Sequence, residues 1–202
     1  MVLEAKGAWG ISKNQGDAVS RNVSRDSGRD AALLGKPEHV AVERGIAEFR
    51  SGRPAVITAS DITASSVAAL ALPVDGMTDT RLAAFRHLCA PVEPHLVITD
   101  RRAQALGLPS TNPIGLAVAG DDAAAIVALA ADARVERGLE VVQAGPVAGA
   151  AIELAKLAQR MPALLVADAA KAEPCDPPLV RVAADAITRF RRTAIEAWRK
   201  RP

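Results

Sequence analysis

The chain has 202 residues, 50% of them hydrophobic and 24% charged, with a formal net charge of +2. That length buries a sizeable core as one domain, and charges of both signs that nearly cancel leave no electrostatic footprint for nucleic acid. Aromatic residues make up 2% and tyrosine is absent, so base-stacking platforms are excluded as well. No apolar run is long enough for a transmembrane helix, so no membrane partner is expected. The opening MVLEAKGAWGISKNQG carries Glu4 and lacks the apolar stretch of a secretory signal. Cys89 and Cys175 stand far apart without a CxxC context and read as two reduced thiols of a cytoplasmic protein.

Residues 1–36 are polar and aperiodic and read as a disordered N-terminal tail. From Pro37 the pattern changes. PEHVAVERGIAEFRSGRP predicts a helix with Val40, Ile46 and Phe49 on one stripe, Pro37 in its first turn and Gly52 at its stop. PAVITAS predicts a strand, and SSVAALALP is apolar enough to be strand or helix. DTRLAAFRHLCA predicts a helix capped by Asp79 or Thr80. PHLVITD is a strand, and TDRRAQALGLP a short helix capped by Thr99 or Asp100 and stopped by Gly107. IGLAVAG is a strand, DDAAAIVALAADARVERG a helix with acids at its start, and LEVVQAG a strand. A helix is then expected over Ala148–Met161, with Ala151, Leu154, Ala155 and Ala158 on its buried stripe, followed by the strand PALLVAD. AEPCDPP is a proline-rich loop, and LVRVAADAITRFRRTAIEAWRKR closes the chain as a strand and a basic amphipathic helix. Alternating strands and helices imply a mixed α+β (α/β) layered domain.

Few residues stand out for chemistry. His87 and His95 flank Cys89, but helical spacing separates His87 from Cys89, and ordinary surface or packing roles are expected. No metal site is expected. Asp121 and Asp122 read as helix caps. Arg101 and Arg102, at a helix start, are candidates for holding a phosphate. The basic face of Arg189, Arg191, Arg192, Arg199, Lys200 and Arg201 reads as a solvated surface at a junction, or as a dock for an acidic partner.

AGPVAGAAIELAKLAQRMPALLVAD, VERGIAEFRSGRPAVI and HLVITDRRAQALGLP occur in that family's order and resemble 3,4-dihydroxy-2-butanone 4-phosphate synthase, an enzyme of riboflavin biosynthesis, over residues 38–168. Ala144 and Gly145, the helix from Ala150 to Ala158, and Pro162 with Ala163 carry the match. The resemblance implies a layered sheet with helices and a homodimer. It also implies an acidic, magnesium-holding loop after the first strand and a His-Thr-Glu turn. Here that loop is TASDITASS, with Asp61 as its one acid, and the His-Thr-Glu turn falls on Pro146, Val147 and Ala148. A lone carboxylate is a poor magnesium site, and proline, valine and alanine offer no acid or base. The expected turn is a solvated remnant of an emptied site.

The chain is also similar to the degenerate synthase-like N-terminal domain of some bacterial GTP cyclohydrolases II, including Leu179 to Arg191. That resemblance implies division into a tail at 1–36, a synthase-like domain at 37–178, and a strand plus basic helix at 179–202 joining a cyclohydrolase domain. The zinc of such a domain needs a cysteine cluster that Cys89 and Cys175 do not supply, so no cofactor is expected in this chain. Three functions follow: a non-catalytic structural, dimerising or regulatory domain; a lyase on ribulose 5-phosphate rebuilt around Asp61, Asp100 and Asp121; or a generic small-molecule-binding module.

Overall fold

The computed structural model describes residues 33–60, 66–133, 135, 138–169 and 175–199. The tail expected at 1–36 therefore lies outside the described residues, save for its last four, where Leu33 and Leu34 are exposed. In chain order the elements are α1 (Pro37–Arg50), β1 (Ala55–Ser60), β2 (Ser66–Pro73), α2 (Asp79–Cys89), β3 (His95–Ile98) and α3 (Asp100–Ala105). They continue with β4 (Ile114–Ala117), α4 (Ala123–Ala131), β5 (Val141–Val142), α5 (Ala148–Leu157), β6 (Ala163–Asp168), β7 (Arg181–Ala183) and α6 (Ala184–Arg199). The strands form one sheet in the order β5-β4-β3-β6-β2-β1-β7. Every neighbouring pair is antiparallel except β1 with β7. No helix among the described residues is long and apolar enough to cross a membrane.

Both faces of the sheet are covered. Alternation along the strands sends Ile57, Ala71, Val97, Leu164 and Val166 to one face, under α1, α5 and α6. It sends Val56, Leu70, Leu72, Leu96, Ile98 and Leu165 to the other, under α2, α3 and α4. A strand buried on both sides has no polar face, so its sequence is a continuous apolar run. SSVAALALP is such a run, and its pairing with both β1 and β6 makes it a strand.

The helices seat small residues where backbones come close. On α5 the expected stripe of Ala151, Leu154, Ala155 and Ala158 is buried, joined by Ile152. In α1 the buried positions are Val42, Gly45, Ile46 and Phe49, while Val40 is half-buried, so the stripe is rotated from the one expected. A Cβ on Gly45 would stand 2.8 Å from Val182 Cγ2 and 3.3 Å from Leu154 Cδ2, which leaves glycine where α1 meets β7 and α5.

Three helices end in the same hydrogen-bonded turn. After α1, the amides of Gly52 and Arg53 donate to Phe49 and Glu48; after α3, those of Gly107 and Leu108 donate to Gln104 and Ala103. After α5, those of Gln159 and Arg160 donate to Lys156 and Ala155. This paired closure needs a left-handed residue, met by Gly52 and Gly107 and, at φ 57°, by Gln159. Helix α5 thus stops short of the expected Met161. Its successor Arg160 turns back to donate to the carbonyls of Phe49 and Arg50, at the C-terminal end of α1, where a cation is favoured.

Other boundaries differ from the sequence reading for reasons of tertiary contact. Thr78, rather than Asp79 or Thr80, caps α2 by accepting from the Arg81 amide. Asp79 instead accepts from the Ala123 amide at 2.8 Å, satisfying the first turn of α4 from another helix. Helix α4, capped by Asp122 as expected, ends at Ala131 well before Gly138. The LEVVQAG strand shrinks to Val141–Val142, opposite Leu116 and Gly115 of β4, with the Ala117 amide donating to the Glu140 carbonyl just before it.

The last strand and helix join the same layers. Strand β7 pairs with β1, and Ala186 and Ile187 of α6 are buried in the face shared with α1 and α5. Arg191 meets Glu153 of α5 at 2.5 Å, Arg189 meets Asp185 and Glu38 at 2.6 and 2.7 Å, and the His39 ring lies 5.2 Å from Phe190.

Two substitutions test this packing by denaturant melts. A left-handed backbone costs an ordinary residue ~1–2 kcal/mol, so Gln159→Gly should stabilise by about 0.5–1 kcal/mol after the added chain entropy of glycine. Leu154→Ala, at a fully buried site, should cost about 2–5 kcal/mol.

Candidate functional site

One end of the sheet brings His95 and Asp168 to the same cleft. Ala69 of β2 is opposite Asp168, the last residue of β6, and His95, the first residue of β3, is opposite Val166. By alternation, Ala69, Val166, Asp168 and His95 all face the α5 side. There they line a cleft of about 180 Å³ with Val67, Ala68, Ala167 and the turn Ala144–Val147. Strand β1 ends at the same edge, since Ser60 is opposite Ser66. Asp61, the next residue, lies outside the described residues.

His95 is one of the polar residues lining the cleft. Its Nε2 is buried without a hydrogen-bond partner. Burial pushes the imidazole pKa below the ordinary histidine value, partly offset by a hydrogen bond with the Ala144 backbone. The ring lies over Gly115: a Cβ there would be 2.9 Å from His95 Cδ2 and 2.9 Å from Val142 Cγ2. Glycine at 115 therefore leaves the space the imidazole occupies. Asp168 is exposed at the mouth.

The turn before α5 corrects an expectation. Pro146 is exposed, but Val147 is 1% and Ala148 3% exposed, both within the core that α5 shares with β6. The positions expected in a solvated remnant are thus filled by side chains folded into the interior, with only the proline outside. Val147 has no side-chain acceptor to cap α5, and the Ala151 amide donates to its backbone carbonyl at 3.0 Å. Gly145, at φ 82°, makes the bend that drops Val147 inward.

The remaining candidates lie elsewhere. Arg102 turns away from solvent: its Nε donates to the Leu129 carbonyl at 2.8 Å and its Nη2 to the Ala128 carbonyl at 3.1 Å. The guanidinium thus closes the C-terminal end of α4 instead of standing ready for phosphate. Arg101 is exposed on α3. Asp100 opens α3 and Asp121 precedes α4, on the face opposite the cleft. The Asp121 backbone carbonyl accepts from Arg86 Nη1 at 3.1 Å. His87 is exposed while Cys89 is buried, its thiol pushed up to about 12 chiefly by desolvation, so the two do not share a site. No three His, Cys, Asp or Glu side chains gather to hold a metal ion among the described residues.

Sequence reasoning gave His95 an ordinary surface or packing role and passed over Asp168. The available signal was a titratable residue at each open end of an apolar strand, His95 opening HLVI and Asp168 closing ALLVAD.

No protein-family model and no characterised protein matches the sequence. Solved structures do. The 3,4-dihydroxy-2-butanone 4-phosphate synthase of Candida albicans superposes with a TM-score of 0.51 at 14% identity, over 74% of this chain and 96% of that one. RibBX, a two-domain 3,4-dihydroxy-2-butanone 4-phosphate synthase from A. baumannii, gives 0.53 at 18% identity over 74% of this chain. The fold is the synthase fold. The present chain spans 57% of the two-domain protein.

Two measurements test the site. Val147→Ala should cost about 1.5–3 kcal/mol, while Pro146→Ala should stay within about 0.5 kcal/mol, by denaturant melts. Because the folded pKa of His95 is depressed, the folded state binds fewer protons than the unfolded one. Its contribution is complete above the ordinary histidine pKa and is lost as pH falls from that value through the depressed folded one. His95→Gln should flatten that acid-side loss of stability.

Proposed function

We propose that this chain is a non-catalytic member of the synthase fold, acting as a structural, dimerising or regulatory domain of a riboflavin biosynthesis protein of the GTP cyclohydrolase II type. The observation that carries the reading is the burial of Val147 and Ala148, where the resemblance puts threonine and glutamate of the family's His-Thr-Glu turn. An apolar side chain locked in the core cannot take or give a proton, and rotating it out would open a cavity. The resemblance further supports a homodimer and a cyclohydrolase domain as partner, in cis or in trans, in the cytoplasm. Magnesium belongs to the resembling synthases and zinc to the cyclohydrolase domain.

The rebuilt-lyase reading needs Asp61, Asp100 and Asp121 to converge. Asp100 and Asp121 belong to the face opposite the cleft, which counts against it. The cleft itself favours a second role within the first reading, that of holding a small molecule without turning it over.

The purified chain with ribulose 5-phosphate and magnesium should release no formate and no four-carbon phosphate above the protein-free control. Turnover abolished by Asp61→Ala would contradict the reading.

A further inference from the structure

We infer that a second groove, between α2 and the turn joining α1 to β1, is a binding site for a small organic monoanion, a carboxylate carried on an aryl or short alkyl body. Its buried residues belong to the core under α2, on the opposite face of the sheet from the α5 side that His95 faces. The inference goes beyond the function proposed above and does not rest on it.

The apolar part of the groove comes from spacing on a helix. Arg81, Ala84, Phe85 and Leu88 recur at i, i+3, i+4 and i+7 and so share one face of α2. Buried Phe85 and Leu72 of β2 line the groove together with Pro54 of the turn, around a space of about 230 Å³. An apolar cavity of ~150 Å³ takes a benzene-sized guest. Ala84 is exposed and small, so it leaves the groove open to solvent.

The charged part comes from Arg81, which is half-buried and lies against Gly52. A Cβ on Gly52 would stand 2.8 Å from Nη2 and 3.3 Å from Nη1, so glycine there leaves room for the guanidinium. Nη1 donates to the Gly76 carbonyl at 3.0 Å and Nη2 to the Gly52 carbonyl. These bonds fix the group, but they go to neutral oxygens and engage only part of a fork of five N–H donors. The other guanidinium on the groove, that of Arg53, is held by the Glu48 carboxylate at 2.5 and 3.1 Å, which neutralises it. The groove thus presents one charge to a guest, held in place beside an apolar surface. A carboxylate on Arg81 gains charge-assisted hydrogen bonds while its body covers Leu72, Phe85 and Leu88. A dianion would bring a second charge to a cation that Glu48 already satisfies.

The test uses the full chain at neutral pH and four probes: phenylacetate, benzyl alcohol, acetate and benzyl phosphate. Binding is followed by NMR shifts of the Arg81 Nε–H and of the Gly52 and Ala84 amides. Phenylacetate should shift these signals, bind at least tenfold more tightly than benzyl alcohol or acetate, and weaken severalfold as salt is raised. Benzyl phosphate should bind no more tightly than phenylacetate. In Arg81→Gln the preference for phenylacetate over benzyl alcohol should vanish. Ala84→Leu, at an exposed position on the same helix face, should fill the groove and weaken phenylacetate at least tenfold. The four-probe comparison on the unaltered chain decides even where Arg81→Gln fails to fold. Phenylacetate binding no more tightly than benzyl alcohol, tighter binding of benzyl phosphate, no shift at these signals, or undiminished binding in Ala84→Leu would overturn the inference.

Discussion

The sheet is buried on both faces, and the central place of β6 depends on it. With β3 on one side and β2 on the other, β6 has no free edge, and its alternate residues feed two separate cores. Leu164 and Val166 lie under α5 while Ala163, Leu165 and Ala167 lie under the α2 to α4 layer. A strand so enclosed can carry a polar side chain only where the covering helix stops. On the α5 side that place is Asp168, and the cleft opens there beside the turn leading into α5. The location of the cleft is therefore a consequence of packing: it is the gap left between a strand end and a helix start.

The same packing accounts for how the helix ends are treated. Buried helix termini leave carbonyls and amides that must find partners. Distant side chains supply them here. Arg160 closes α1, Arg102 closes α4, and Asp79 accepts from the first amide of α4. Arg81 and Arg86 likewise donate to loop carbonyls, those of Gly76 and Val118 among them. Four arginines, Arg81, Arg86, Arg102 and Arg160, are thus directed at backbone oxygens.

The elements were legible in the sequence because Gly, Pro and capping residues punctuate apolar runs of the right length. The α5 stripe of Ala151, Leu154, Ala155 and Ala158 could be read from spacing alone. SSVAALALP could not be resolved, since burial on both faces removes the period that separates strand from helix. The ends of α4 and α5 were overestimated because alanine-rich sequence favours helix locally, while the termini are set by long-range partners and by the left-handed Gln159. The site was less legible. Gly145 and Pro146 signal a turn, and a turn reads as surface, but whether Val147 points outward or inward is decided by β6. Arg102 offers the same lesson, since nothing near it in sequence foretells the Ala128 and Leu129 carbonyls. His95 and Asp168 come together only through the β3, β6 and β2 registers.

The central claim is that the turn entering α5 belongs to the core and is not an open catalytic loop. Native-state hydrogen exchange of the amides from Val147 to Ala151 tests it most directly. The expected result is protection of the Ala151 amide, bonded to the Val147 carbonyl, as strong as that of the Leu164 and Leu165 amides in β6, with release only on global unfolding. Exchange of the Ala151 amide at the rate of an exposed loop, while β6 stays protected, would contradict it.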